Sequence, residues 1–313
     1  MAYTGTKAFS ERKLGELRAA LKDVVPPGSV ALTCGSYARR EASAESDIDF
    51  FILTDEEAAA TEGGPDWARA AEAEIAKLVP NSPAAGGAFA QTLGLNSMID
   101  NIGGQADTNE NITRRMLVLL EGDWLQNEAL FESKRDEVID KYVGSSNGDH
   151  HIVKFLLNDI IRYWRTITVD YEYKTGGPGG VKPWAIRNVK LAFSRKLLYA
   201  GGLFSVGETA DRTQAEKAAI LKKLFSIPPL ERIERICGSK LFAPIGHSYD
   251  IFLDQMEDST VRSHLKSLDK KDRDSDVVFR RLKNEAQHFN RHLLKAFEER
   301  FHSSHPIRQA VIF

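Results

Sequence analysis

The sequence contains only two cysteines, and it has neither a long apolar run nor a strong net charge. Cys34 and Cys237 lie far apart without a C-x-x-C spacing, which argues against a disulfide framework and against a zinc site. No segment approaches the roughly 18 consecutive apolar residues of a membrane helix. The first residues lack the basic head and apolar centre of a secretory signal. We therefore expect a cytoplasmic protein that does not enter a membrane.

The balance of charge excludes an overall attraction to nucleic acid or anionic lipid. The 42 basic and 44 acidic residues give a formal net charge of −2, so any site for a polyanion must be local. Such a local excess lies between residues 150 and 200, where basic residues outnumber acidic ones, and a region of this kind can face phosphates. Its basic residues are Lys154, Arg162, Arg165, Lys174, Lys182, Arg187, Lys190, Arg195 and Lys196.

The spacing of apolar residues changes along the 313 residues of the chain. Before residue 110, two predicted helices (9–25 and 65–79) alternate with the predicted strands SVALTC, IDFFIL and, more weakly, AFAQTLG. After residue 110, the segments show the i, i+3, i+4 apolar spacing of amphipathic helices. The sequence therefore predicts an α+β fold in which a small mixed-sheet domain, residues 1–110, precedes an all-helical domain, residues 111–313.

The segment CGSYARREASAESDIDFFIL, residues 34–53, joins two of the predicted strands. Alternate side chains of a strand share a face, so Asp47 and Asp49 are expected to point the same way. Two such carboxylates repel each other unless a cation lies between them, and Mg²⁺ prefers oxygen ligands, including phosphate oxygens. At the other end, Gly35 lets the backbone approach a phosphate, and Ser36 offers a hydroxyl and an N–H. The segment therefore predicts a phosphate-binding turn that faces a metal-binding pair.

Arg39 and Arg40 follow in a short predicted helix and add charge that can pair with phosphate oxygens. The alternative for the whole segment is an ordinary turn followed by surface acids. The tripeptide CGS recurs at 237–239, where the next segment, KLFAPIGHSYDIFLD, contains no D-x-D, and Gly238 is interpreted there as a helix C-cap. The catalytic interpretation therefore depends on the pairing of Gly35 and Ser36 with SDID and the flanking strands.

These residues resemble the signature of the DNA polymerase β-like nucleotidyltransferase superfamily, in which an apolar residue and G-[GS] precede D-x-[DE] and an apolar strand. The segments LNDIIRYWRTITVDYEYK and KPWAIRNVKLAFSRKLLYAGGL are similar to the helical part of PII-uridylyltransferase-like bacterial proteins. The resemblance covers most of residues 25–205. It implies a triphosphate on Gly35 and Ser36, with Mg²⁺ or Mn²⁺ held by Asp47 and Asp49. It also implies transfer of NMP or dNMP from a nucleoside triphosphate to an acceptor hydroxyl without a template.

A third carboxylate on a neighbouring strand usually completes the site in this superfamily, where it can deprotonate the acceptor. The predicted strand AFAQTLG contains no acid, which leaves Asp100 and Asp107 as candidates. Asp107 is the predicted catalytic residue, and a loop or helix-capping role is the alternative for both. Absence of a third acid would indicate either slow turnover or a catalytically degenerate, nucleotide-binding regulatory subunit.

In the helical half, Arg162 and Arg165 share a predicted helical stripe with Asn158, and Lys182 and Lys190 lie in the segment that follows. We predict that these cations bind nucleotide, and solvated helix faces are the alternative. The acceptor is an unidentified protein or nucleotide, and the second case includes a short oligonucleotide signal in antiphage defence. The long C-terminal helix and the apolar tail HPIRQAVIF are expected to dock within the chain, in a homo-oligomer or on a partner protein.

Overall fold

The computed structural model describes residues 2–62, 64–81, 91–100, 102–144, 148–176 and 183–312. The chain divides into two compact units. The N-terminal unit is Thr4–Ser145, and the helical unit combines Met1–Tyr3 with Ser146–Phe313. The N-terminal unit thus extends to residue 145, beyond the predicted boundary at residue 110.

The N-terminal unit is built around a mixed sheet, as the sequence predicts. Its elements are α1 (Ala2–Leu21), β1 (Val30–Cys34), α2 (Gly35–Ala38), β2 (Asp49–Thr54), α3 (Glu56–Ala59), α4 (Asp66–Leu78), β3 (Gln91–Gly94), α5 (Asn109–Glu121), β4 (Asp123–Gln126) and α6 (Glu128–Gly144). Among the described residues the strand order is β3-β2-β1-β4. Strand β1 runs antiparallel to β2 and β4, whereas β2 and β3 are parallel.

One face of this sheet is covered by the two helices that the sequence predicts near residues 9–25 and 65–79. Alternate residues of the central strands point to that face, and they pack there against the apolar stripes of α1 and α4 in one buried cluster. The cluster includes Leu14, Leu17 and Leu21 of α1, Ala31 of β1, Phe50 and Ile52 of β2, and Ala71 and Ile75 of α4. The start of β2, where Asp49 lies, is therefore supported by a packed core.

The prediction that strands end before residue 110 is wrong at one place. Helix α5 stops at Glu121, and β4 then adds to β1 with Thr33 opposite Asp123. The strand has only four residues, and the apolar Trp124 and Leu125 continue the spacing of the preceding helix, so periodicity alone does not separate them. This pairing draws α5, β4 and α6 into the N-terminal unit.

The helical unit confirms the all-helical prediction for the later part of the chain. Its elements are α7 (Lys154–Gly176), α8 (Trp184–Lys190), a π-helical turn (Leu191–Arg195), α9 (Lys196–Gly207), α10 (Gln214–Phe225), α11 (Pro229–Glu257), α12 (Ser259–Ser267), a 3₁₀ turn (Lys270–Asp272), α13 (Val277–Arg300) and α14 (Pro306–Ile312). Helix α11 is interrupted at Gly238, whose φ of 74° is non-helical. Phe193 and Phe252 stack at 4.5 Å in its core.

The apolar tail docks within the chain. Helix α14 contacts α9, and Ile307 is completely buried. In the described part of the chain, no helix combines the length and the apolar character that crossing a membrane requires.

Candidate active site

The glycine that ends β1 lies directly against the first residue of β2. Cys34 pairs with Asp49 across the two strands, and Gly35 follows with a φ of +73°, a conformation that favours glycine. A Cβ atom on Gly35 would lie 2.6 Å from Oδ2 of Asp49, which is too close for any side chain. The turn can therefore lie directly against the Asp49 carboxylate only because residue 35 has no side chain.

The two aspartates of SDID have the alternating burial that the sequence predicts. Ile48 and Phe50 are buried in the core, whereas Asp47 and Asp49 are half-buried. The Thr33 hydroxyl donates to the main-chain oxygen of Asp49 at 2.8 Å and fixes the start of β2. Asp49 is the first residue of β2 and alternates with the buried Phe50, whereas Asp47 lies two residues before the strand begins.

Asp47 makes no hydrogen bond or ion pair with any residue that the structure describes. Its negative charge nonetheless affects the hydroxyl of Tyr37, a residue packed in the core. Burial, reinforced by the negative charge of Asp47, raises the pKa of the Tyr37 hydroxyl to about 12. A half-buried carboxylate in such surroundings can accept a cation without first breaking an ion pair.

Helix α2 is a single turn that holds Ser36 next to this pair. The main-chain oxygen of Ser36 accepts from the N–H of Glu41 at 2.8 Å, and its hydroxyl makes no hydrogen bond with a described residue. Arg40 ends the turn with a φ of 65°. Its guanidinium donates to the main-chain oxygen of Ala38 and pairs with Asp123 of β4 at 2.9 Å.

Arg39 points into the N-terminal unit. Its guanidinium pairs with Glu41 at 2.9 Å and with Glu121 at the end of α5, and all three side chains are buried. These ion pairs account for the charge of Arg39 without a nucleotide, although the predicted phosphate contact stays a prediction.

Sequence reasoning missed the anchoring roles of Glu121 and Asp123. The available signal was two acids placed inside the apolar stretch LVLLEGDWL.

Asp107 is held in a buried ion pair. Its Oδ2 atom accepts from Arg115 at 2.9 Å and from the N–H of Gly103 at 2.9 Å, and both charged side chains are almost completely buried. The cap of α5 is the neighbouring Thr108, which accepts from the N–H of Asn111. The catalytic role of Asp107 stays a prediction, and its surroundings favour a structural one.

No group of three or more histidine, cysteine or acidic side chains able to hold a metal occurs among the described residues. Asp100, the other candidate for the third carboxylate, is exposed in a turn. The part of strand β3 that is described contains no acid, and its predicted beginning at residues 88–90 lies outside the described residues. Among the described residues, the candidate site therefore keeps Gly35, Ser36 and the pair Asp47 and Asp49, and its third carboxylate stays a prediction.

We predict that Asp107→Asn lowers the free energy of unfolding by about 3 kcal/mol, because it leaves the buried guanidinium of Arg115 without its counter-charge. Urea denaturation measures the loss, and the rate per folded molecule is expected to stay unchanged. Asp100→Asn, in an exposed turn, is the matched control and leaves both quantities unchanged. Unaltered stability with lost turnover would instead assign Asp107 to catalysis.

Three of the other cations predicted to bind nucleotide, Arg162, Arg165 and Lys190, lie on the helical unit. Arg162 is exposed on α7, where it pairs with Asp159 at 3.1 Å, and Arg165 is exposed one turn further along. Lys190 is half-buried at the end of α8. Lys182 lies outside the described residues. Their contact with a nucleotide stays a prediction.

Residues 14–83 match the family model described as a nucleotidyltransferase domain. The match includes β1, the Gly35–Ser36 turn and both aspartates of SDID, so it covers the geometry described above. It is consistent with the resemblance to the polymerase β-like superfamily. No curated protein matches the chain.

Proposed function

We propose that this protein moves a nucleoside monophosphate from a nucleoside triphosphate to an acceptor hydroxyl without a template. The proposal starts from the nucleotidyltransferase domain that the chain carries, which makes it a transferase enzyme. The observation that carries the proposal is the contact of Gly35 with Asp49. At this contact a turn that can approach phosphate lies against a carboxylate whose partner in the motif, Asp47, makes no ion pair with a described residue.

A divalent cation fits these residues. Asp47 and Asp49 are half-buried, they offer only oxygen atoms, and they leave coordination positions for water and for phosphate oxygens. Such a donor set suits Mg²⁺ or Mn²⁺. When bound, the cation supplies charge neutralisation at the reacting phosphate and at the leaving pyrophosphate.

The residues of the chain would then bind and orient the triphosphate. The backbone at Gly35 approaches the phosphates, the Ser36 hydroxyl donates a hydrogen bond to them, and the two aspartates hold the cation. A bond forms between the acceptor oxygen and the α-phosphorus, while the bond from that phosphorus to the bridging oxygen breaks. Pyrophosphate leaves, and the hydroxyl proton passes to solvent.

We further propose that the acceptor is a protein side chain or another nucleotide, the latter giving a short oligonucleotide of the kind used in antiphage signalling. The exposed cations Arg162 and Arg165 are candidates for holding the nucleotide or the acceptor, together with Lys182 and Lys190. A second candidate function is a nucleotide-binding regulatory subunit. It is favoured by one observation, the absence of a three-acid cluster in the described part of the chain.

The test is incubation of the full chain with each nucleoside or deoxynucleoside triphosphate labelled at the α-phosphate, with Mg²⁺ or Mn²⁺. Products bound to protein and free products are separated. We expect the label in a covalent product together with release of pyrophosphate, because both follow from attack at the α-phosphorus. Binding of the labelled nucleotide without any product would favour the regulatory subunit.

A further inference from the structure

A pocket of about 460 Å³ opens within the helical unit. Its walls come from α7, α8, the 3₁₀ turn at Lys270–Asp272 and the first turns of α13. The volume lies within the roughly 300–1,000 Å³ of small-molecule sites. None of its lining residues belongs to the nucleotidyltransferase match or to the cations predicted from the sequence.

The pocket is rich in cations that have no acidic partner in the described part of the chain. Lys270, Arg280 and Lys283 line it and make no ion pair with a described residue. A fourth cation, Arg273, is paired at 3.3 Å with Asp274, which also lines the pocket. Glu172 is the remaining acid on the wall, so the balance of charge stays positive and favours an anion.

Lys283 is the least exposed of the four cations that line the pocket. Its ammonium donates to Oδ1 of Asn188 at 2.8 Å, and Nδ2 of Asn188 donates to the Tyr171 hydroxyl at 3.0 Å. Burial lowers the pKa of Lys283. Burial and the nearby charge of Lys283 also lower the pKa of Lys196. An anion bound in the pocket would relieve the cost at Lys283, because it provides a counter-charge that this half-buried ammonium group does not find among the described residues.

Aromatic rings form the rest of the wall in fixed positions. The Trp184 indole N–H donates to the main-chain oxygen of Leu268 at 2.7 Å, and its ring meets Phe279 edge-on with centroids 4.7 Å apart. The Tyr171 hydroxyl is fixed by Asn188. Held rings of this kind offer faces on which a nucleobase can stack.

We propose that this pocket is a second nucleotide site, which binds a nucleoside phosphate with its phosphates on Lys270, Arg280 and Lys283 and its base against Trp184 or Tyr171. The combination of three cations that form no ion pair with a described residue and of fixed aromatic faces matches both halves of such a ligand. The site does not depend on the proposed transfer reaction, since it uses none of the residues of the aspartate pair.

The chain provides two double variants for the test, one that changes the pocket and one that changes the residues next to it. Lys270 and Arg280 line the pocket, whereas their immediate neighbours Lys271 and Arg281 do not. All four residues are exposed, so replacement by glutamine leaves the core intact. Lys270→Gln with Arg280→Gln therefore removes the same charge as Lys271→Gln with Arg281→Gln.

Binding of radiolabelled ATP is measured by equilibrium dialysis in low salt and EDTA. The parent protein is the full chain with Asp47→Ala and Asp49→Ala, so the result is independent of catalysis. Loss of Lys270 and Arg280 is expected to weaken binding about tenfold or more, the size expected for lost charged hydrogen bonds. The control pair is expected to leave the dissociation constant unchanged, and circular dichroism checks that each variant is folded.

A second measurement tests the base. Inorganic tripolyphosphate is expected to compete at least about fivefold more weakly than ATP, because it cannot stack. In Lys283→Gln the new amide can still donate to Asn188, and we expect weaker binding of both ATP and tripolyphosphate. Absence of ATP binding by the parent, or equal losses in the two double variants, would overturn the site. Equal affinity for tripolyphosphate and ATP would overturn its nucleoside part.

Discussion

Asp47→Ala and Asp49→Ala are each expected to lower kcat for nucleotidyl transfer on the order of 10³-fold, and the double variant is expected to show no transfer above background. Each carboxylate is proposed to hold the cation that stabilises the charge of the reacting phosphate. The effect on stability should be small for Asp47, since it makes no hydrogen bond or ion pair with a described residue. The rate of pyrophosphate release, measured per folded molecule, gives the result.

Asp66→Ala is the matched control for these variants. Its side chain is 96% exposed at the start of α4, in the same unit and within the same family match. It removes one carboxylate from the unit without touching the Gly35 turn. Transfer that survives in the double variant of Asp47 and Asp49 would place the reaction elsewhere in the chain.

Gly35→Ala is expected to lower kcat on the order of 10²-fold, because the new methyl group must displace the Asp49 carboxylate from its present position. The positive φ of residue 35 adds a cost of about 1–2 kcal/mol to folding for any residue with a side chain. Urea denaturation and pyrophosphate release separate the loss of stability from the loss of activity.

The second CGS tripeptide supplies the control for this variant. Gly238 has a φ of +74°, almost the same as that of Gly35, but a Cβ atom there would meet no atom within 4 Å. Gly238→Ala therefore carries the backbone cost without the close approach and should lower stability while leaving kcat unchanged. If the two alanine variants lost activity equally, the contact between Gly35 and Asp49 would not be what matters.

The sequence predicts the parts of this protein that depend on local patterns. The period-2 burial around Asp47 and Asp49 follows from two short apolar strands, and the helix–strand alternation before residue 110 confirms an α+β arrangement with a mixed sheet. The interruption of α11 at Gly238 follows from the conformational freedom of glycine. These features need no knowledge of residues distant in the chain.

What the sequence does not predict depends on distant partners. Arg39 is predicted to contact phosphate because it is a cation in the short helix that follows Gly35 and Ser36, yet its guanidinium pairs with Glu121 of α5. Strand β4 is invisible to periodicity because its four residues continue the spacing of α5. Asp107 is predicted to be catalytic, with helix capping as the alternative, yet its carboxylate pairs with Arg115, eight residues further along the chain. In each case an ion pair or a strand pairing adds a contact that the local pattern does not show.

The anchoring of the α2 turn by Glu121 and Asp123 also determines when the site can form during synthesis. Domains generally fold as units while the chain emerges from the ribosome, but Arg39 and Arg40 meet these acids only after a long intervening stretch has been made. A nascent chain that ends at residue 83 contains the whole family match without β4 or either acid. We therefore expect the α2 turn to be held in place only after the chain has been made beyond Asp123, within the compact unit that ends at residue 145.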